Sequence, residues 1–377
     1  MFLLVFLFLS APGFIGPPKG EPPEFSLTRN LTLGGDGTGG SEILSGTAAA
    51  VANDAGTIYV LDPGGFRILI YGKDGRLQGQ FGRLGQGPGE FAEPVAITLD
   101  AAGNAVIFDT GHHKMAVFKA GGEFLRETRF PSNIHGVFHP VSLPNGNLAF
   151  TAYQLDGDLQ MSYTLTLFRP DLQPLKTIYN TAMPKLDWNQ VSNPSFWSGF
   201  LKDQFELTAN GFPQQALAGD RLVTALSNAY RGDISDQNGN RLAQFTADYK
   251  PKLHSDASKE AFCEPIWQNL AANPALAESL TQSTFRRALG QTEALTTVPP
   301  IFALGGRGDG FFVLTDFDLI ARRGRIDFFN KNGEPVGRAA YQGSYHQLTA
   351  TATALYSVGP NDNDDIVVQR FQIGERP

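Results

Sequence analysis

Glu93, His139 and His346 are the residues of this 377-residue chain best suited to hold a divalent metal. Two imidazoles and a carboxylate around one axis can supply the three protein ligands of a zinc or calcium ion that keeps an open position. The plainer reading is a polar, hydrated lining. A second set could grip a ligand by stacking and charge: Trp188, Trp197, Tyr230, Arg231, Arg322 and Arg323. Aromatic faces supply apolar contact, and guanidinium forks orient a carboxylate. For the tryptophans, which stand with Phe196, Phe200 and Phe205, the competing reading is a small core inside their own segment. For Arg322-Arg323-Gly324-Arg325 it is a solvated loop.

Weaker signals surround these. His112 and His113 are adjacent, and neighbours on a loop point apart. Asp362-Asn363-Asp364-Asp365 lacks the Gly and terminal Glu of an EF-hand loop. Cys263 is the one cysteine, so no disulfide can form within the chain. No Ser/His/Asp signature, phosphate-cradling Gly loop or CxxC pair occurs, and no residue stands out as catalytic. The net charge of −7 excludes a broad nucleic-acid footprint, which needs a basic face.

The elements that must position these residues are repeats. Val60-Leu61-Asp62-Pro63-Gly64-Gly65-Phe66-Arg67-Ile68-Leu69-Ile70-Tyr71 recurs as Ile107-Phe108-Asp109-Thr110-Gly111-His112-His113-Lys114-Met115-Ala116-Val117-Phe118, an offset of 47 that also carries Gly56 onto Gly103 and Gly75 onto Gly122. A period in this range means stacked units that cannot bury their apolar faces alone. Short apolar runs between Asp/Gly turns make each unit a small antiparallel sheet, and the 42 glycines suit such turns. The predicted fold is an all-β, six-bladed β-propeller of four-stranded blades. Blade 1 starts near residue 47 and blade 2 near 94. Later blades are marked by turns at Leu143–Asn147, Ala218–Asp220 and Gly308–Gly310. Blade 6 runs out of chain before its fourth strand. Phe25–Leu33 alternates apolar and polar residues ahead of blade 1, and is predicted to supply that strand from residues 24–34 and close the ring.

Residues 1–23 read as a signal and linker. The apolar run Phe2–Leu9 is too short to span a membrane and fits an export leader; no cysteine follows it to carry a lipid anchor. Residues 24–377 then form the propeller, interrupted by an aromatic insert at 181–206 and a helical insert at 252–298. In the latter Asn273-Pro274 suggests a helix start and Gly290 a stop.

Residues 86–124 resemble an NHL repeat. Gly89-Glu90-Phe91-Ala92-Glu93-Pro94-Val95-Ala96-Ile97, Asp100, Gly103-Asn104, Asp109-Thr110-Gly111-His112-His113-Lys114 and Val117-Phe118 match that motif in order. With its leader and insert, the chain resembles bacterial secreted six-bladed propellers with NHL-like repeats. The resemblance implies either a binding or interaction scaffold or a metal-dependent hydrolase or lyase of the lactonase or amidating-lyase type. The lactonase Glu/Asn/Asp ligand set has no match here.

Strand alternation sorts the loops. Those joining second to third strands share a face with the connections between blades, so Asp62, Asp109, Tyr230-Arg231, Arg322-Arg323 and both inserts should gather on one face. The first residues of the inner strands, about Gly46, Glu93, His139, Phe212, Val298 and His346, should ring the channel mouth there. The expectation is a periplasmic or secreted, monomeric protein. It takes a protein, peptide or carbohydrate ligand, with no nucleic acid and no membrane span once the leader is gone.

Overall fold

The computed structural model describes residues 22–35, 43–44, 48–155, 160–183, 187–190, 193–209, 211–271, 280–293 and 295–375. Strand β1 (Phe25–Gly34) precedes blade 1, which is β2 (Ala49–Ala52), β3 (Ile58–Asp62), β4 (Arg67–Tyr71) and β5 (Leu77–Phe81). Blade 2 is β6 (Pro94–Leu99), β7 (Ala105–Asp109), β8 (Lys114–Phe118) and β9 (Phe124–Arg129). Blade 3 is β10 (Ile134–Ser142), β11 (Leu148–Leu155), β12 (Met161–Phe168) and β13 (Pro174–Ala182). Blade 4 is β14 (Pro213–Ala218), β15 (Arg221–Leu226), β16 (Arg231–Ser235) and β17 (Arg241–Thr246). Blade 5 is β18 (Ala303–Arg307), β19 (Gly310–Asp318), β20 (Arg323–Asn330) and β21 (Pro335–Gln342). Blade 6 is β22 (Gln347–Ala350), β23 (Ala354–Pro360) and β24 (Ile366–Glu375), with β1 as its outermost strand. Each blade is an antiparallel four-stranded sheet, and the six inner strands β2, β6, β10, β14, β18 and β22 neighbour one another in a closed ring.

The repeated turns explain the repeated blades. Asp100 Oδ1 accepts hydrogen bonds from the amides of Ala102 and Asn104, and Asp236 Oδ1 does the same for Asn238 and Asn240. Each turn then passes through a glycine of positive φ, Gly103 at 78° and Gly239 at 79°, where a side chain would be strained. Apolar residues fill the spaces between blades. Ile97, Ile107 and Phe118 meet Tyr59, Leu61 and Phe81 between blades 1 and 2, and Phe312, Phe328 and Tyr341 meet Leu355 and Phe371 between blades 5 and 6.

Strand β1 is bulged. Its register against β24 runs from Phe25↔Glu375 to Arg29↔Phe371, skips Asn30, and resumes at Leu31↔Arg370. A strand's side chains alternate strictly, so one extra residue exchanges its faces. Phe25 and Leu27 therefore pack into the core shared with blade 5, while Leu31 and Leu33 pack into the core shared with blade 1. The closing strand fastens blade 6 to both neighbours. Phe25 lies edge-on to Phe328 at 5.4 Å, and a Cβ at Gly337 would come within 1.9 Å of its ring, so only glycine fits there.

The inserts are helical. Helix α1 (Pro194–Ala209) lies between blades 3 and 4; α2 (Asp256–Ala271) and α3 (Gln282–Gln291) lie between blades 4 and 5. The expected helix start at Asn273-Pro274 falls outside the described residues. Helix α3 starts at Thr281, whose side chain forms a capping box with Thr284, and runs through Gly290 to Gln291. All three helices share one core built of Trp197, Leu201, Phe205, Cys263, Leu280 and Phe285, so the two inserts form a single cap on one face of the disc. Phe262 of α2 belongs both to that core and to the one between blades 5 and 6. Lys252, leading into α2, pairs with Asp316 of β19 at 2.8 Å. Among the described residues no helix is long and apolar enough to cross a membrane.

Candidate functional site

The residues marked for chemistry are distributed rather than gathered. Trp197 is buried in the cap core, edge-on to Phe196 and Phe200, so it packs rather than stacks on a ligand. Trp188 opens a short 3-10 turn, Trp188–Gln190; the surroundings of its side chain fall outside the described residues. Tyr230 is buried too. Its hydroxyl donates to Asp327, which also accepts from Arg325 Nε at 2.8 Å; Arg325 in turn pairs with Asp316 at 2.8 Å. Burial, and then the Asp327 carboxylate, push the Tyr230 phenol far above its ordinary pKa. With Lys252, these groups form a charge ladder tying the cap's leading leg to blades 4 and 5. Arg231 is exposed and lines a separate groove of about 470 Å3 with Tyr179, Asp233 and Gln244.

The three metal candidates sit apart as well. Among the described residues no three His, Cys, Asp or Glu side chains come together as a metal set. His139 is not the first residue of its strand: β10 begins at Ile134, and His139 falls in an irregular stretch at a φ of 49°. It lines a cavity of about 440 Å3 in the central channel, with Thr98, Gln215 and Gln347 but with neither Glu93 nor His346. His139 is accessible from this bore yet ringed by protein, and loss of bulk water holds its imidazole below the usual value. His346 is accessible at the surface as well, and partial loss of water around its ring lowers its imidazole too, with the charge of Arg322 adding to it. Glu93 is exposed ahead of β6. Gly46 is outside the described residues, and Val298 lies before β18 rather than in it, its amide bonded to the carbonyl of Lys252.

The motif aspartates hold the backbone. Asp109 is fully buried and accepts from the amide of Glu93 at 2.7 Å and of Ala92 at 3.2 Å, and it meets His112 Nδ1 at 2.8 Å. That single carboxylate fastens blade 2's loop to the connection from blade 1. Asp62, at the equivalent place, meets Arg67 Nε at 2.9 Å.

A groove of about 1110 Å3 lies between blades 5 and 6. Two of the candidate residues, Arg322 and Arg323, line it, and a third arginine joins them. Asp318 Oδ1 accepts from the amides of Ile320 and Ala321 and so shapes the loop between β19 and β20. Arg322 follows at a φ of 50°, and its guanidinium donates to the carbonyls of Pro360 and Asn361, both at 3.1 Å, bridging to blade 6. Arg323 is exposed at the head of β20, opposite Gln342. Arg29 enters from the closing strand, on the face it shares with Phe25 and Leu27 because the bulge comes after it. Phe25, Leu27, Tyr341 and Phe371 supply apolar wall, and among the described residues Asp362 is the one acidic lining residue. Three guanidiniums against one carboxylate make this a cationic groove on an acidic chain, suited to an anion with an apolar portion. Sequence reasoning missed Arg29. The alternation of residues 25–33 was visible, but the bulge that decides which blade each side chain faces leaves no local mark.

Comparison with known proteins agrees with the architecture. A family model described as a 6-bladed beta-propeller matches residues 41–193. A solved structure of a candidate exported protein from Bacteroides fragilis is 11% identical, with 96% of this chain and 99% of that one covered and a TM-score of 0.52. A Bacteroides vulgatus protein is 11% identical, covering 94% and 100%, at 0.49. The virginiamycin B lyase of Staphylococcus aureus is 12% identical, covering 93% and 99%, at 0.43. No curated protein sequence matches the chain. At such identities the likeness to the solved structures is one of fold alone, and the matching family model describes that fold as a 6-bladed beta-propeller.

Proposed function

We propose that this chain is a non-catalytic binding propeller that works outside the cytoplasm and takes an anionic ligand in the groove between blades 5 and 6. One observation carries the reading: Arg29 and Arg323 come from different blades to the same groove, both exposed, and among the described residues neither has an ion-pair partner. Unpaired guanidiniums that line one groove raise its positive potential, and a bound anion is attracted by it while gaining charge-assisted hydrogen bonds. Arg322 differs, being held by two carbonyls, and shapes the rim. The apolar leader Phe2–Leu9 and the fold shared with a candidate exported protein support the location.

The test is a thermal-shift screen of acidic and neutral peptides and polysaccharides, repeated with the Arg29→Ala/Arg323→Ala variant. Acidic members should raise the melting temperature of the unaltered protein and not of the variant. Stabilisation by neutral ligands alone, or equal shifts in both proteins, would remove this reading.

A further inference from the structure

Resting on the groove's role as an anion site, we propose that its ligand is an extended acidic peptide segment of a partner protein, added as a strand along the outer edge of β21. Strands β21 and β1 are the outermost strands of their sheets, and both line the groove. An outermost strand presents unpaired backbone N–H and C=O groups, a template for another extended segment.

The chain itself shows that this edge accepts one. At the lower end of the groove, Glu24 forms a parallel bridge with Arg338 of β21, and the Arg338 amide donates to the Pro23 carbonyl at 2.9 Å. The Arg338 N–H thus points away from β20. Backbone direction alternates along a strand, so the amides of Ala340 and Gln342 point the same way. Both residues line the groove, and both are exposed. Residues 23 and 24 therefore occupy the first rung of a ladder, and β1 then swings off to pair with β24. The rungs at 340 and 342 line the groove.

Charge and shape select the peptide. Side chains on one face of a strand recur about every 7 Å, two residues at roughly 3.3 Å each. A segment lying along Ala340–Gln342 would turn one set of alternate residues toward the side of Arg323 and the other toward the face of Phe25, Leu27 and Phe371, at whose edge Arg29 stands. Glutamate or aspartate alternating with aliphatic residues meets both demands. An acidic polysaccharide would satisfy the arginines and leave the strand edge unused.

The experiment is fluorescence anisotropy with the labelled peptide Glu-Val-Glu-Val-Glu-Val-Glu, the same peptide N-methylated on alternate amides in each parity, and polygalacturonate as competitor. The expected result is saturable binding, loss of at least tenfold in affinity for one N-methylated parity only, and about tenfold weakening in Arg323→Ala, a single lost charge-assisted contact. Ala340→Pro should abolish peptide binding while leaving the melting temperature near the parent's, since its outward N–H bonds nothing within the blade. Equal binding of both methylated peptides would overturn strand addition. If polygalacturonate binds in an Arg323-dependent way and the peptide does not, the groove is an anion site and this inference fails. If neither binds, the anion site itself fails.

Discussion

Arg29 and Leu31 stand two residues apart in one strand and face opposite sides of the sheet: Arg29 is opposite Phe371 and faces blade 5, and Leu31 is opposite Arg370 and packs toward blade 1. The extra residue, Asn30, makes the difference, and its side-chain oxygen accepts a hydrogen bond from Arg370 Nε at 2.9 Å. Arg370 also donates to the carbonyl of Lys73 in blade 1. The same bulge closes the ring and brings an arginine into the groove.

Deleting Asn30 restores strict alternation and turns either Leu31 and Leu33, or Phe25 and Leu27, to the wrong side. Misplacing two such side chains costs about 3–6 kcal/mol at roughly 1.5–3 kcal/mol each. Denaturant unfolding should show a loss of that order, and removing residues 22–34 should cause aggregation. A deletion variant that unfolds like the parent would show that the bulge does not set the closure.

Trp197→Ala empties a core position of the cap. A loss of about 3–5 kcal/mol from the cap is expected, read as earlier proteolysis within residues 193–300. Anion affinity in the groove should stay unchanged. An equal loss of both would place Trp197 in the binding site.

His139 and His346 both have lowered pKa values, so the unfolded chain takes up protons first as pH falls. Stability contributed by the neutral imidazoles is complete above the ordinary histidine value of about 6.5 and is lost on descending from there to the folded values. The His139→Gln/His346→Gln variant should show a smaller drop in melting temperature than the parent between about pH 7.5 and 5. A parallel drop in both would contradict the assignment.

Because Glu93, His139 and His346 do not line one cavity, chelator treatment should leave the melting temperature unchanged, and elemental analysis should find less than one equivalent of zinc or calcium. A stoichiometric metal lost in His139→Ala would restore the metal-dependent alternative.

Much of the ring was legible because its signals are local. Asp100 and Gly103 make their turn with neighbours a few residues away, and the alternation of Phe25–Leu33 announces a strand without a partner. The grouping of side chains was not legible. Tyr230 meets Asp327 and Arg322 meets Asn361 across blade boundaries, where pairing depends on how whole sheets pack. Trp197 and Arg231 looked like companions in sequence, but one lies in the cap core and the other in a groove between blades 3 and 4. Aromatic residues alone do not tell a stacking platform from a core, because burial decides it, and burial here comes from a second insert some sixty residues on.

Isothermal titration of the full chain with polyglutamate, beside Arg29→Ala/Arg323→Ala, tests the central claim most directly. The account predicts saturable binding to the parent, weakened by added salt and reduced at least tenfold in the double variant, whose melting temperature stays near the parent's. Equal affinity in the two proteins, or no binding to the parent, would contradict it.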